Sequence, residues 1–407
     1  MTTSNAPPIV PASGMGLYVH VPFCKTKCPY CDFNAYQGIE DLIGPFLPAL
    51  MAEIKCWGET LAHTAVKSVF FGGGTPSYLP PGYIEQFLSS IQTSFQVDSG
   101  AEITIEANPG DLDATACASI LGQGVNRLSI GVQSLDNDLL NLLGRRHQAS
   151  EAITAFQTAR QAGFDNVNLD LMYGLPNQSM DQWRQTLDSL IDLAPEHISL
   201  YALTIEEGTP MHRWAEEGKI PEPDPDLAAD MYQYARESLA EAGYHHYEIS
   251  NWSLPDRACD HNLIYWQNGP YLGVGPGAHS RLGDYRFWTV LSPRDYLNKA
   301  ATWADSGAKP VAELIEPVLQ GIPTLGGWEH ISQETACSET MFLGLRLLDG
   351  LDLKAASAQT GIDLAKKFQT PIKDCIQLGL LELDGTCLKL TESAYLVANQ
   401  AFTRFLE

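Results

Sequence analysis

Three cysteines fall within eight residues near the N-terminus, and their spacing limits the metal chemistry they can support. Cys24, Cys28 and Cys31 form a Cys-x-x-x-Cys-x-x-Cys motif shortly after the apolar segment 17–21. Three thiolates on one short loop can bind three corners of a cubane [4Fe–4S] cluster and leave the fourth iron without a protein ligand. A small molecule can chelate that open iron. The spacing therefore predicts a cluster with an exchangeable position.

Two other cysteine chemistries are less compatible with this loop. A structural zinc site usually has four ligands in two pairs that are a dozen or more residues apart, and no second pair stands nearby. A thioredoxin-type redox site needs two cysteines, whereas this loop has three. The remaining cysteines are scattered in a manner typical of buried apolar residues. They are Cys56, Cys117, Cys259, Cys337, Cys375 and Cys387.

Composition and charge bear on the partners and the location of the protein. The 407 residues include 49 acidic and 25 basic side chains, giving a net charge of -24. Such a chain does not suit a phosphate backbone, so no nucleic-acid partner is expected. Residues 1–14 lack Lys, Arg and an apolar core, which predicts a flexible tail and no targeting peptide. No apolar run approaches the ~18 residues of a membrane span, and the cysteine usage indicates a reducing compartment, so we expect a cytoplasmic protein.

The elements that position the cysteine loop repeat along the first 250 residues. Short apolar segments are each followed by a polar or glycine-rich turn and an amphipathic stretch. These segments are residues 17–21, 68–71, 102–106, 127–132, 167–171 and 197–201. Such repeats predict parallel strands with right-handed crossovers and functional groups at the carboxyl ends of the strands. Six repeats rather than eight favour an α/β fold with a partial, open (β/α)6 TIM-like barrel, and a doubly wound sheet is the alternative.

The pattern changes in the last third of the chain. A segment rich in Gly, Pro and aromatic residues is followed by helices and a short hairpin at 380–390, which predicts a small α/β winged-helix-like domain. Few basic residues lie on segment 366–377, so packing is favoured over DNA binding. The predicted boundaries are 1–14 for the tail, 15–249 for the core, 250–331 for a connecting segment and 332–407 for the C-terminal domain.

The cysteine motif, with Tyr30 before its last cysteine, and the triplet Gly72-Gly73-Gly74 after the second strand together resemble the radical S-adenosylmethionine (SAM) superfamily. The resemblance implies that SAM binds the open iron through its amine and carboxylate. An electron from the reduced cluster then cleaves the sulfonium bond to give a 5′-deoxyadenosyl radical, so a one-electron donor is an expected partner.

Nearly the whole chain also resembles the oxygen-independent coproporphyrinogen III dehydrogenase group. This resemblance implies contacts to the first SAM from Tyr18, Gly73 and Glu106. It implies a second SAM site formed by Tyr30, Gly74, Thr75, Gln133, Arg145, Asp170 and Ala202. Without it, Glu106 would be an ordinary surface carboxylate, and Arg145 with Asp170 would be an ordinary ion pair.

At two places this chain differs from the dehydrogenases and resembles the HemW-type heme chaperones. The dehydrogenases have a fourth cysteine two residues after the third, where this chain has Phe33. The segment from His261 to Trp266 reads His-Asn-Leu-Ile-Tyr-Trp and matches a His-Asn-x-x-Tyr-Trp motif of the chaperones. Imidazole is a common axial ligand of heme iron, and aromatic rings offer flat faces to a porphyrin. A histidine buried in an aromatic cluster is the alternative, and the other candidate ligands are His245, His246 and His279.

Three functions therefore remain open. The first is a heme chaperone that binds heme, passes it to an unknown acceptor protein and carries a SAM-chelated [4Fe–4S] cluster. The second is an oxygen-independent coproporphyrinogen III dehydrogenase of heme biosynthesis that lacks the fourth cysteine, an activity that Phe33 disfavours. The third is a non-redox protein with a structural metal. No catalytic residue is assigned, and membrane contact is expected only peripherally, through the acceptor.

Overall fold

A computed structural model describes residues 10, 14–61, 64–306 and 319–406. Its central feature is a run of six strands that lie in the sheet in chain order, each parallel to the next. These are β1 (Met15–Val21), β2 (Ala65–Gly73), β3 (Gln96–Ala107), β4 (Arg127–Gln133), β5 (Val167–Tyr173) and β6 (His197–Ala202). The predicted tail, residues 1–14, lies outside the described residues except for Val10 and Gly14.

The crossover helices confirm the predicted repeat. They are Ile43–Thr60, Tyr83–Ser94, Ala114–Gly122, Asn137–Leu142, Ala149–Ala162 and Met180–Asp192, and β6 is followed by Pro210–Glu216 and Pro225–Glu241. Sequential strand order is that of a partial barrel of the radical SAM type. A doubly wound sheet would instead reverse its strand order at a switch point, so that alternative is wrong.

Apolar side chains at every second position bury one face of β1. Leu17, Val19 and Val21 are fully buried and pack in the main apolar core. Helix starts are fixed by side chains that accept orphan backbone N–H groups. Ser179, for example, forms a capping box with Gln182 at the start of the helix that follows β5.

The parallel strands are extended at both edges to give a twelve-stranded sheet. At one edge lie β7 (His245–Glu248) and β8 (Asn251–Ser253), with β8 antiparallel to β6. At the other edge β9 (Tyr271–Val274) is parallel to β1. It is followed by the antiparallel strands β10 (His279–Leu282), β11 (Tyr285–Thr289) and β12 (Leu325–His330). Within the described ranges no ladder joins β7 to β12.

The helices Asp260–Trp266 and Pro293–Ser306 belong to this extension. The C-terminal part forms a smaller α/β unit with its own apolar core. Its helices are Gln333–Gly344, Leu353–Thr360, Leu364–Lys367, Gln369–Gln377 and Asn399–Phe402, and its antiparallel strands are β13 (Leu351–Asp352), β14 (Leu381–Asp384) and β15 (Cys387–Leu390). In the part of the chain described, no helix has both the length and the apolar character to cross a membrane.

Candidate functional site

One cavity of about 520 Å³ opens at the carboxyl ends of the parallel strands and continues into the barrel. Its size lies within the range of about 300–1,000 Å³ typical of small-molecule sites. All of the site residues predicted from the sequence line it. They are Tyr18, Cys24, Cys28, Tyr30, Cys31, Gly73, Gly74, Thr75, Glu106, Gln133, Arg145, Asp170, Ala202 and His261.

The cysteine loop is held by backbone hydrogen bonds. The N–H of Cys24 donates to the carbonyl of Tyr36 at 2.8 Å, and the N–H of Cys31 donates to the carbonyl of Cys28 at 3.1 Å. All three cysteines are free and partly exposed. Burial raises the pKa of Cys24, and it raises the pKa of Cys31 to about 11, so burial disfavours the thiolate form of both. Three thiols around one cavity are a donor set that fits a cluster with one open iron.

Among the described residues, no group of three or more His, Cys, Asp or Glu side chains converges as the ligands of a single ion. Cys24 Sγ lies 3.4 Å from the Oγ1 of Thr75, which belongs to the second βα loop. The cysteine loop and the glycine segment therefore form one wall of the cavity.

Arg145 reaches this wall from the loop after the helix Asn137–Leu142. Its Nη1 donates to Cys28 Sγ at 3.6 Å, and its Nη2 donates to the carbonyl of Gly131 at 2.7 Å. Asp170 accepts hydrogen bonds from Asn168 and Ser129 instead, at 2.8 and 3.1 Å. The alternative of an Arg145–Asp170 ion pair is therefore not what the structure shows. A guanidinium beside a cysteine sulfur stabilises negative charge on that sulfur.

The glycine segment brings bare backbone to the cavity. Gly73 has φ of +111°, and a Cβ at this position would lie 2.5 Å from the His20 ring. Its N–H donates to the Glu106 carboxylate at 3.1 Å. A Cβ on Gly74 would lie 2.7 Å from the carbonyl oxygen of Phe23. Glycine is therefore required at both positions, because the His20 ring and the Phe23 carbonyl leave no room for a side chain.

His20 holds the hydroxyl of Tyr18. Its Nε2 lies 2.9 Å from the carbonyl of Asn34, and its Nδ1 lies 3.0 Å from the Tyr18 hydroxyl. Burial lowers the pKa of His20, so the ring is neutral and a single tautomer satisfies both contacts. In that tautomer Nε2–H donates to Asn34 and Nδ1 accepts from Tyr18. The Tyr18 side chain is therefore fixed at the predicted SAM contact.

Two partly buried carboxyl groups line the cavity, Glu106 on β3 and Asp170 on β5. Burial, then the negative charge of Asp170, raises the pKa of Glu106 to about 8, and the N–H of Gly73 opposes the shift. Burial also raises the pKa of Asp170, although Asn168, Ser199 and Ser129 donate hydrogen bonds to it. In a medium of low dielectric constant, the negative charge of Asp170 disfavours ionisation of Glu106. Perturbed carboxyl groups in a cavity are typical of binding sites.

Gln133 lies at the end of β4 with φ of +66°. A non-glycine residue in the left-handed region is uncommon, and such strain concentrates at functional sites. The φ value turns the chain directly after β4, where Gln133 borders the cavity. Ala202 occupies the equivalent place at the end of β6.

His261 lines the other end of the cavity and is 2% exposed. Its Nδ1 lies 2.8 Å from the Ser68 hydroxyl, and its Nε2 lies 2.9 Å from the Tyr265 hydroxyl. The ring stacks on Phe70, with 5.2 Å between centroids. Burial, then the Arg127 charge, lowers the pKa of His261 to about 3. Both nitrogens are engaged, so iron ligation would require one of these hydrogen bonds to break.

The other three candidate histidines do not belong to the cavity lining. His245 pairs with Asp349 at 3.2 Å on the surface. His246 stacks on Trp252 with 3.9 Å between ring centroids. His279 stacks on Trp288 between two antiparallel strands. Each has a structural partner of its own.

Glu102 anchors the helix that carries His261. Its carboxylate accepts the backbone N–H of Asp260 at 3.1 Å and that of His261 at 3.2 Å, and the thiol of Cys259 donates to it at 3.3 Å. The Arg127 Nε lies 3.8 Å from the same carboxylate. A carboxylate at a helix start satisfies N–H groups that have no partner within the helix. The helix is therefore attached to β3 through Glu102, which is in turn paired with the first residue of β4.

Phe33 lies at the mouth of the cavity with 66% of its surface exposed. Its carbonyl accepts a hydrogen bond from Nζ of Lys27 at 2.9 Å. Trp266, the last residue of the motif, is not among the residues that line the cavity and instead contacts Arg346. The aromatic residues of the motif thus face in different directions.

Several lining residues were missed by the sequence analysis. They are Phe70, Arg127, Ser129, Asn168, Ser199 and Tyr201. A signal for some of them exists, because polar residues alternate along β4 in Ser129 and Gln133 and along β5 in Asn168 and Asp170. In a strand buried on both faces, such polar positions indicate the inside of a lined barrel.

Family models agree with this geometry. The model described as the radical SAM superfamily matches residues 18–190, and the HemN C-terminal domain model matches residues 331–397. The solved coproporphyrinogen III oxidase (HemN) from Escherichia coli superposes with a TM-score of 0.80 at 24% identity, covering 96% of this chain and 90% of that one. Fold and site together define a radical SAM protein, a class that implies a [4Fe–4S] cluster and SAM as cofactors.

Sequence relatives define the family more narrowly. Heme chaperone HemW from Bacillus subtilis is 33% identical over 393 residues, which cover 96% of this chain and 98% of the relative. Radical S-adenosyl methionine domain-containing protein 1, mitochondrial, from Mus musculus is 37% identical, covering 84% of this chain and 83% of the relative. The chain belongs to the HemW-type heme chaperone family of radical SAM proteins.

Proposed function

We propose that this protein is a heme chaperone that binds heme and transfers it to an acceptor protein. The observation that carries the proposal is Phe33, a 66% exposed phenyl ring at the mouth of the cysteine cavity. A phenyl ring offers an apolar face to a porphyrin but has no ionisable hydrogen. Likeness to proteins named heme chaperones over nearly their full length supports the same function.

Within this function the cysteine cavity would hold the [4Fe–4S] cluster and SAM. Cys24, Cys28 and Cys31 would bind the cluster, and the open iron would take SAM. When bound, the pair supplies reductive cleavage of a sulfonium bond, with electrons from a one-electron donor. The Glu106 carboxylate would accept hydrogen bonds from SAM, and the bare backbone of Gly73 would allow its close approach.

The heme site is proposed from the exposed aromatic residues and the motif. Phe33 and Tyr201 are both unusually exposed for their size and both border the cavity. His261 is the proposed iron ligand, after release of one of its two hydrogen bonds. Acceptor identity is not encoded in the site, and membrane contact is proposed only through the acceptor.

The second candidate function is coproporphyrinogen III dehydrogenase. The observation that favours it is the likeness of fold to the E. coli oxidase, which at 24% identity shows the fold alone. The observation against it is Phe33, because the position of the dehydrogenases' fourth thiol is apolar here. The third interpretation, a non-redox protein with a structural metal, gains no support from the family.

Anaerobic reconstitution followed by heme titration tests the proposal. The reconstituted protein should take up one heme per chain, show a Soret band and pass the heme to an apo-hemoprotein. The same preparation should not convert coproporphyrinogen III in the presence of SAM and reductant. Turnover comparable to that of a dehydrogenase, or no heme uptake, would contradict the chaperone function.

A further inference from the structure

The far end of the cavity contains a buried arginine that pairs with a carboxylate but makes no hydrogen bond to a described residue. Arg127 is the first residue of β4 and is 2% exposed, yet it lines the cavity. Its Nε has no hydrogen-bond partner, and its guanidinium donates to no other described residue. A guanidinium carries five N–H donors and stays charged at any pH of interest. Burying it without hydrogen bonds is costly, so a bound group is expected there.

The nearest carboxylate does not fulfil this role. The Glu102 oxygen lies 3.8 Å from Arg127 Nε, which is an ion-pair distance but beyond a hydrogen bond. Glu102 already accepts from the thiol of Cys259 and from two backbone N–H groups of the motif helix. The Glu102 carboxylate therefore balances the charge of Arg127 but accepts no hydrogen bond from it.

A second polar side chain borders the same end of the cavity. Asn262 lies one residue after His261 and lines the cavity, and its side-chain amide has no hydrogen bond to any residue in the described part of the chain. Glu102, the ion-pair partner of Arg127, also accepts the backbone N–H groups of Asp260 and His261, so Arg127 lies near the start of the helix that carries Asn262. A guanidinium and an amide that border one cavity are donors that can recognise a carboxylate.

The other acidic groups of the cavity leave this end available. Asp170 has each of its oxygens bonded, by Asn168 and by Ser129. Glu106 accepts from Gly73, and it lies two residues further along the sheet than Arg127, which pairs with Thr104 of β3. His261 is neutral and occupied by Ser68 and Tyr265. The free donors thus belong to Arg127 and Asn262.

We propose that Arg127 and Asn262 form a subsite for a carboxylate group of the ligand that occupies the cavity. Two ligands could supply this group: the amino-acid carboxylate of a SAM molecule in the second predicted site, or a propionate of a porphyrin. The porphyrin source deepens the proposed function and rests on it, whereas the SAM source does not depend on heme binding.

The test compares each ligand with an analogue that lacks the carboxylate. Reconstituted full-length protein is titrated with SAM, decarboxylated SAM, heme and heme dimethyl ester, in the wild type and in Asn262→Ala and Arg127→Gln. For one of the two pairs, the variants should weaken binding of the carboxylate form about tenfold or more and leave the analogue unchanged. The pair that responds identifies the source of the carboxylate.

Controls separate binding from folding. Arg127→Gln removes the ion-pair partner of Glu102, so cluster content and thermal melting are measured, and Asn262→Ala, which leaves that pair intact, decides the outcome if Arg127→Gln does not fold. Arg294→Gln, which changes a 63% exposed arginine outside the cavity, should have no effect on either ratio.

Unchanged ratios for both pairs in Asn262→Ala and in folded Arg127→Gln would overturn the subsite and leave water at the far end of the cavity. Failure of wild-type protein to bind either porphyrin would instead overturn the proposed function, and the SAM pair would still decide the subsite.

Discussion

The guanidinium of Arg346 lies over the indole ring of Trp266, with 4.3 Å between Cζ and the ring centroid. The same guanidinium lies 3.4 Å from the Glu248 carboxylate, which is fully buried. Trp266 ends the motif helix, and Arg346 follows the first helix of the C-terminal unit. The motif therefore connects the cavity wall, through His261 and Tyr265, to the C-terminal unit.

Loss of this contact should destabilise the protein without removing the cluster. Arg346→Met leaves the buried charge of Glu248 without its cation, and we expect a loss of about 2–3 kcal/mol in the free energy of unfolding. Urea unfolding followed by circular dichroism measures this change. Arg294→Met, which breaks an exposed pair with Asp41, is the control and should change stability by at most about 0.5 kcal/mol. Equal effects of the two variants would contradict the prediction.

Cluster binding is predicted to depend on the three loop cysteines alone. Replacing Cys24, Cys28 and Cys31 with Ala should abolish the broad brown absorbance and the EPR signal of the reduced cluster, because no other thiol lines the cavity among the described residues. Cys56→Ala and Cys387→Ala are controls that should keep both signals. Normal iron content in the triple variant would refute the assignment.

SAM affinity should rise with pH. The pKa of Glu106 is raised to about 8 by burial, so below this pH the group is mostly protonated and cannot accept hydrogen bonds with both oxygens. If the carboxylate holds SAM, binding should strengthen about tenfold between pH 7 and pH 9 and then level off. Glu106→Gln should bind more weakly at pH 9 and lack this dependence. An identical pH profile in the variant would show that another group titrates.

Dehydrogenase turnover is predicted to be absent in the wild type. The phenyl ring of Phe33 occupies the mouth of the cavity, and it cannot supply the thiol chemistry of a fourth cysteine. Coproporphyrinogen III and SAM are incubated with reduced protein, and porphyrin products are measured by chromatography beside a genuine dehydrogenase. Comparable product formation by this protein would overturn the prediction.

The parallel strands and the upper part of the site are encoded in local sequence. Segments such as Leu17–Val21 and Arg127–Val132 recur with turns between them, and motifs at strand ends share one edge of a parallel sheet. Local patterns could not reveal that β9 pairs with β1, because Gly16 and Tyr271 lie far apart in the sequence. Nor could they place His261 against Phe70, since that contact also joins distant parts of the sequence.

The motif illustrates the limit of assigning roles by residue type. A Tyr and a Trp beside a histidine suggested two flat faces for one porphyrin. In a seven-residue helix, however, adjacent residues point about 100° apart, so Tyr265 and Trp266 cannot share a face. Tyr265 faces the cavity and Trp266 faces Arg346. Helical geometry, once the segment is known to be a helix, corrects that interpretation.

The last prediction concerns heme ligation by His261, whose two ring nitrogens are both engaged in hydrogen bonds. The hydroxyls of Ser68 and Tyr265 occupy its two nitrogens, and a heme iron would have to displace the Tyr265 hydroxyl to reach Nε2. If His261 is the ligand, His261→Ala should shift the Soret band and speed heme release while the cluster spectrum stays unchanged. Tyr265→Phe, which frees Nε2 without changing ring size, should then tighten heme binding. If the histidine only packs against Phe70, both variants should lower thermal stability and leave the Soret position and the heme off-rate as in the wild type.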